Sequence, residues 1–193
     1  MRGRSCLEAD PSRELRNPIM PEKTYLTSLA LVLGLSAGLP ALPVYGADGF
    51  DPSAHDADRG KKIYERIGNC LQCHGWDGAG AGRNPRSVGT APNLREFQPD
   101  AELLRELIAC GRPYSMMPFH DRLAYQDDRC YGMTMEDFDE GEKPHRGKSI
   151  RPDDIENLIA YLLTSVIGKG KTTLEECEAF YRPGHRNCAA YKD

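Results

Sequence analysis

Cys70-Leu71-Gln72-Cys73-His74 is a C-x-x-C-H, and no other pattern in the chain constrains it as much. Two thiols three positions apart can add across the two vinyl groups of one porphyrin. The histidine that follows is then held beside the ring centre, where its imidazole can ligate iron. The motif occurs once, so one covalent haem c is expected. On the residues alone, two other uses of C-x-x-C stay open: a redox pair and half of a zinc site. A zinc site would want a second C-x-x-C or an H-x-x-x-H further on, and the chain has neither. A redox pair would want a βαβ pattern around it, and none is visible.

The N-terminus points to export. Residues 26–39 are an apolar run with Lys23 just before it, followed by Pro40, Pro43 and the small-residue stretch Val44-Tyr45-Gly46-Ala47. This is the three-part plan of a secretory signal peptide, with cleavage expected after Gly46 or Ala47. A membrane anchor is the competing reading, but the run falls short of the ~20 residues a spanning helix needs. Residues 1–19 are polar, carry four arginines and have no apolar period. Met20 begins a more conventional signal, so it is the expected true start, with residues 1–19 an upstream reading-frame artefact. The organisation expected is a leader over 1–47, a folded domain over 48–170 and a tail over 171–193.

The leader holds five basic and four acidic residues, which leaves 20 Lys and Arg against 25 Asp and Glu in the remainder. That acidic balance argues against nucleic acid and against an anionic membrane surface as partners. Cysteine usage agrees with export. Cys6 lies in the leader and Cys70 and Cys73 are committed to haem, so Cys110, Cys130, Cys177 and Cys188 remain. Four leftover cysteines in an exported chain read as two disulfides. Of the three possible pairings, the two local ones are favoured, Cys110 with Cys130 and Cys177 with Cys188.

Three helices are legible from apolar spacing. Residues 57–69 carry a narrow stripe of Ile63, Tyr64 and Ile67, with Asp56 or Asp58 as cap. Residues 99–109 take Asp100 as N-cap and present Leu103, Leu104, Leu107 and Ile108, with Gly111 and Pro113 to end them. Residues 152–166 are the strongest, opening on Pro152 with Asp153 and Asp154 in the first turn. Residues 75–93 read as a loop. Residues 119–149 read as an acidic, solvated insertion with a short helix near 134–139, since 126–143 holds seven acidic residues against Arg129 and Lys143. One more short helix is expected at 173–181.

With a helix before C-x-x-C-H, a middle helix, a methionine after it and a final helix containing Ala160-Tyr161-Leu162, the chain resembles a class I c-type cytochrome over about residues 57–167. The resemblance implies an all-α cytochrome c fold of three to five helices around one covalently attached haem. It pairs Gly60 and Tyr64 on the first helix with Tyr161 on the last. It implies that Pro92, in Ala91-Pro92-Asn93-Leu94, accepts the hydrogen bond from the second nitrogen of His74. It implies a methionine as distal ligand. Met117 is the candidate because it directly precedes Pro118; Met116 and His120 are the alternatives. Two features depart from the family. Tyr64 stands six residues before Cys70 rather than about four, so a bulge or extra turn is expected at residues 67–69. The segment between Met117 and the last helix is also long.

The function implied is that of an electron carrier, not an enzyme: a periplasmic monohaem cytochrome cycling between Fe(III) and Fe(II). Its partners would be redox proteins, a dehydrogenase as donor and an oxidase or another cytochrome as acceptor. No stable membrane span is expected once the signal is removed. The alternative is a haem subunit dedicated to one periplasmic dehydrogenase or sulfur-oxidising complex. A catalytic haem protein would need an open iron position, which a firmly bound methionine denies.

Overall fold

Three amphipathic helices share one core, the first and the middle one each burying its apolar stripe against the last. The structure, a computed structural model, describes residues 49–80 and 91–192. The expectations for the leader, for Met20 and for most of the loop after the haem motif fall outside those residues. α1 spans Ala57–Lys62 and runs into a π-helical turn over Ile63–Ile67. α2 is a single turn, Leu71–His74. α3 spans Ala101–Cys110, α4 Pro152–Ser165 and α5 Leu174–Phe180. Short 3-10 turns cover Pro52–Ala54, Met135–Asp137 and Arg186–Tyr191. Among the described residues there are two isolated β-bridges and no named strand.

The π-turn accounts for the long spacing between Tyr64 and Cys70. The Gly68 amide donates to the Ile63 carbonyl at 2.8 Å and the Cys70 amide to the Tyr64 carbonyl at 2.9 Å, five and six residues back. A widened turn of this kind absorbs extra residues without breaking the helix. The bulge therefore begins inside the helix at Ile63 rather than at residues 67–69.

α1 crosses α4 at close quarters. Gly60 lies directly on the Asn157 carbonyl and the Tyr161 Cβ, with no room for a side chain of its own. Tyr64 and Tyr161 meet with ring centroids 5.7 Å apart. Ile63, Leu104, Ile108, Ile155, Leu158 and Ile159 fill the core around them. Polar contacts fix the register of the crossing. The Asp56 amide donates to Asn157 Oδ1 at 2.9 Å, and Arg59 donates to both carboxylate oxygens of Asp154 at 2.9 Å. Arg105 ties α3 to Glu156 of α4 in the same bidentate way.

The Arg59 hydrogen bonds draw the Asp154 carboxyl down to about 2. A depressed aspartate contributes stability above its unfolded pKa of about 3.9 and loses it as pH falls through the folded value. Asp154→Asn should thus lower the thermal midpoint by a few degrees at neutral pH. The gap to wild type should close between about pH 4 and pH 2. A gap that persists at pH 2 would mean that the ion pair is not its source.

The segment 119–149 departs from expectation. All seven acidic side chains of 126–143 are exposed, but the segment is not merely solvated. Phe119, Ala124, Tyr125, Cys130 and Phe138 form a second buried cluster with Cys110 at the end of α3. Tyr125 meets Phe119 and Phe138 edge-on, with centroids 5.6 and 5.4 Å away. These residues are irregularly spaced, so no helical or strand period betrays them. Cys110 and Cys130 are joined by a disulfide, and Cys177 and Cys188 by another.

Candidate functional site

Cys70 starts the single turn of α2. The Cys73 and His74 amides donate to the Cys70 carbonyl at 3.1 and 2.9 Å. Residues three and four apart share one helix face, so both sulfurs and the imidazole project from the same side of that turn. Asn69 ahead of it and Gly75 behind it have φ of 60° and 81°, which turns the chain sharply at each end. The buried Tyr64 hydroxyl donates to the Gly75 carbonyl at 2.8 Å and anchors the exit of the motif to the first helix. Cys70 and Cys73 belong to neither disulfide. Burial pushes the Cys70 thiol up to about 12, so it is uncharged at neutral pH.

His74 Nδ1 donates to the Pro92 carbonyl at 3.4 Å, a long hydrogen bond. Gly80 permits the approach: it packs directly on the Ala91 carbonyl and close to Pro92, where a Cβ would not fit. Burial pulls the His74 pKa below its ordinary value, against the opposing effect of the Pro92 bond. The ring is neutral near pH 7, with Nδ1 carrying the proton and Nε2 offering its lone pair.

The two candidate methionines lie in the loop after α3. Gly111, with φ of 66°, ends that helix against the Met117 carbonyl and Pro118; a Cβ there would lie 2.6–2.7 Å from their backbone. The Arg112 amide donates to the Met117 carbonyl at 3.2 Å, and the Ser115 hydroxyl links the Arg112 carbonyl to the Met117 amide. Two tyrosines brace the loop from outside: Tyr125 donates to the Cys110 carbonyl at 2.8 Å and Tyr131 to the Gly111 carbonyl at 2.7 Å. Met116 and Met117 are half-buried and belong to neither apolar cluster. The ring of His120 is engaged differently. It is buried, its Nδ1 donates to the Lys148 carbonyl at 2.7 Å, and Gly147 packs against it.

A family model described as Cytochrome c matches residues 57–165. The chain belongs to the cytochrome c family. Among curated proteins and solved structures, none matches it. As a cytochrome c it carries covalently attached haem c and takes part in haem-based electron transfer with redox partners. The donor set of this cytochrome fits the group. Two thiols outside any disulfide and a neutral imidazole, its second nitrogen fixed on a carbonyl, occupy one turn. Among the described residues no group of three or more His, Cys, Asp or Glu side chains is arranged to hold a metal ion by itself. No described helix is long and apolar enough to cross a membrane.

Three residues near the motif escape sequence reasoning. Trp76 stacks on Phe180 at 5.0 Å between centroids, Asp77 accepts from the Thr172 hydroxyl at 2.6 Å, and Arg95 donates to both oxygens of Glu176 at 2.9 Å. Each pairs with the C-terminal tail, more than 80 positions away in two cases and 104 in the third. Only one local signal was available: Trp76 is the single tryptophan and follows His74 by two.

Proposed function

We propose that the protein is an exported monohaem electron carrier of a bacterial periplasm. Haem c is attached through Cys70 and Cys73, His74 is the proximal ligand and Met117 the distal one. The observation that carries this reading is the single turn bearing both thiols and His74, with Nδ1 of His74 directed at the Pro92 carbonyl. When bound, haem c supplies a one-electron Fe(III)/Fe(II) couple. Cys70 and Cys73 hold it, Pro92 fixes the tautomer and plane of the imidazole, and the Gly111–Pro118 loop presents a neutral sulfur. Thioether sulfur favours the ferrous ion, so a fairly positive potential is expected. Met117 is preferred to His120 because it directly precedes Pro118; the Nδ1 bond of His120 to Lys148 leaves its Nε2 unused, so His120 is the alternative ligand to test.

The exposed tyrosine Tyr114, 65% accessible on the methionine loop and in contact with Phe138, favours a second reading. There the protein is the haem subunit of one periplasmic dehydrogenase or sulfur-oxidising complex, docked through this braced surface. Gel filtration from native periplasm discriminates, because a free carrier elutes alone.

The central test is intact mass after expression with haem-maturation machinery. The mature chain should gain the mass of one haem, and Cys70→Ala/Cys73→Ala should lose it. A bare-chain mass, with haem extracted by acid and acetone, would sink the attachment. Recovery of the protein in the cytoplasmic fraction would sink the location.

A further inference from the structure

Behind the haem motif, the tail folds back on the two segments that flank His74 and Pro92. Arg95 is the hub. Its side chain is 4% exposed, yet every one of its partners is an acceptor. Nε donates to the Gly170 carbonyl at 2.6 Å, one terminal nitrogen to the Asp77 carbonyl at 3.3 Å, and the other to the Glu176 carboxylate. A buried guanidinium is costly unless its donors are satisfied, and here the link between α4 and α5, the first turn of α5 and the post-motif loop satisfy them together. Glu176 is itself fixed by a capping box with Thr173, one turn ahead of the buried Cys177–Cys188 disulfide.

The other end of Arg95 reaches toward the proximal ligand. Its amide donates to Asn93 Oδ1 at 3.0 Å, and the neighbouring Leu94 amide to the Gly78 carbonyl at 2.8 Å. The first bond closes the Asn93–Arg95 turn, which Pro92, the acceptor for His74, directly precedes, and the second ties that turn to the segment after the motif. We propose that Arg95 is a positioning residue: by fastening the Asn93–Arg95 turn to the disulfide-braced tail, it holds the Pro92 carbonyl on His74 and so sets the donor strength of that imidazole. The proposal rests on His74 being the proximal ligand. A firm Nδ1–H···O=C bond makes Nε2 a stronger donor, which favours ferric iron. Loosening the turn therefore weakens the donor and raises the potential.

The test uses the haem-loaded full chain and two readouts, the reduction potential and the exchange rate of the His74 Nδ1 proton in the reduced protein by NMR. Arg95→Met should raise the reduced-to-oxidised ratio at a fixed poise about tenfold, about 59 mV for one electron, and speed that exchange. Glu176→Gln, a milder change that keeps one acceptor, should shift both in the same direction by less. Asp100→Ala, which removes the cap of α3 at Leu103, serves as a destabilised control and should leave both unchanged. If Arg95→Met does not accumulate, Glu176→Gln decides alone. Unaltered potential and exchange in the Arg95 and Glu176 variants overturn the proposal, as does an equal shift in Asp100→Ala. An unchanged spectrum in His74→Ala overturns the ligand assignment and this proposal with it.

Discussion

Met117→Ala should abolish the sulfur-to-iron absorption of the oxidised protein. It should also lower the reduction potential by on the order of 0.2 V, within the ~0.8 V that axial ligands span. The methionine loop is held at both ends, by Gly111 packed on the Met117 and Pro118 backbone and by the Arg112 and Ser115 bonds inside it. Met116→Ala should spare both properties; the reverse pattern moves the assignment to Met116. A spectrum unmoved by either variant would make His120 the ligand to test. The brace should matter as well. Cys110 and Cys130 close a loop of sequence separation 20, worth on the order of 3 kcal/mol in the chain-entropy model. Cys110→Ser/Cys130→Ser should thus lose methionine ligation at lower temperature and lower alkaline pH than wild type. Identical ligation in that variant would detach the disulfide from this role.

Gly60→Ala should cost about 3 kcal/mol, the upper end of what overpacking usually costs, and lower the thermal midpoint by roughly 10 °C. A Cβ at Gly60 would overlap the Asn157 carbonyl and press on the Tyr161 Cβ at 2.7 Å. The obstacle is backbone, which cannot rotate aside as a side-chain tip would. α1 would have to lift from α4, opening Ile63 and Tyr64, both almost wholly buried. Thermal unfolding followed by far-UV circular dichroism checks this, with Gly141→Ala as a control in open space. Equal midpoints for the two variants would show that the crossing is looser than its geometry.

What could be read in advance follows the range of each interaction. α3 and α4 were legible because their apolar faces repeat every three or four residues, and Asp100 caps α3 as its position suggests. The two local disulfide pairs are the shortest closures available, and the structure contains both. The π-turn was sensed only as a surplus of residues between Tyr64 and Cys70. Nothing in Ile63–Ile67 distinguishes a π-turn from continuing helix, so its start was misplaced. The cluster around Tyr125 left no period to follow. The Arg95 hub was illegible for another reason: its partners Asp77 and Glu176 lie 18 residues before and 81 after it, and hydrogen bonds over such spans leave no local pattern. In the candidate site, Cys70, Cys73 and His74 came from a local motif. Pro92 and Met117 needed the family resemblance as a guide.

The six cysteines from Cys70 onward place opposite chemical demands on one newly made chain. Four of them end as cystines, while covalent haem attachment as proposed needs Cys70 and Cys73 as thiols at the moment of reaction. The two motif cysteines are three positions apart and precede the other four, so in a chain exported as proposed they are the first pair that a thiol oxidant meets. Under that proposal, maturation must reduce, or protect, one pair in the same compartment that oxidises two others. The order of those events would then decide whether haem attachment succeeds.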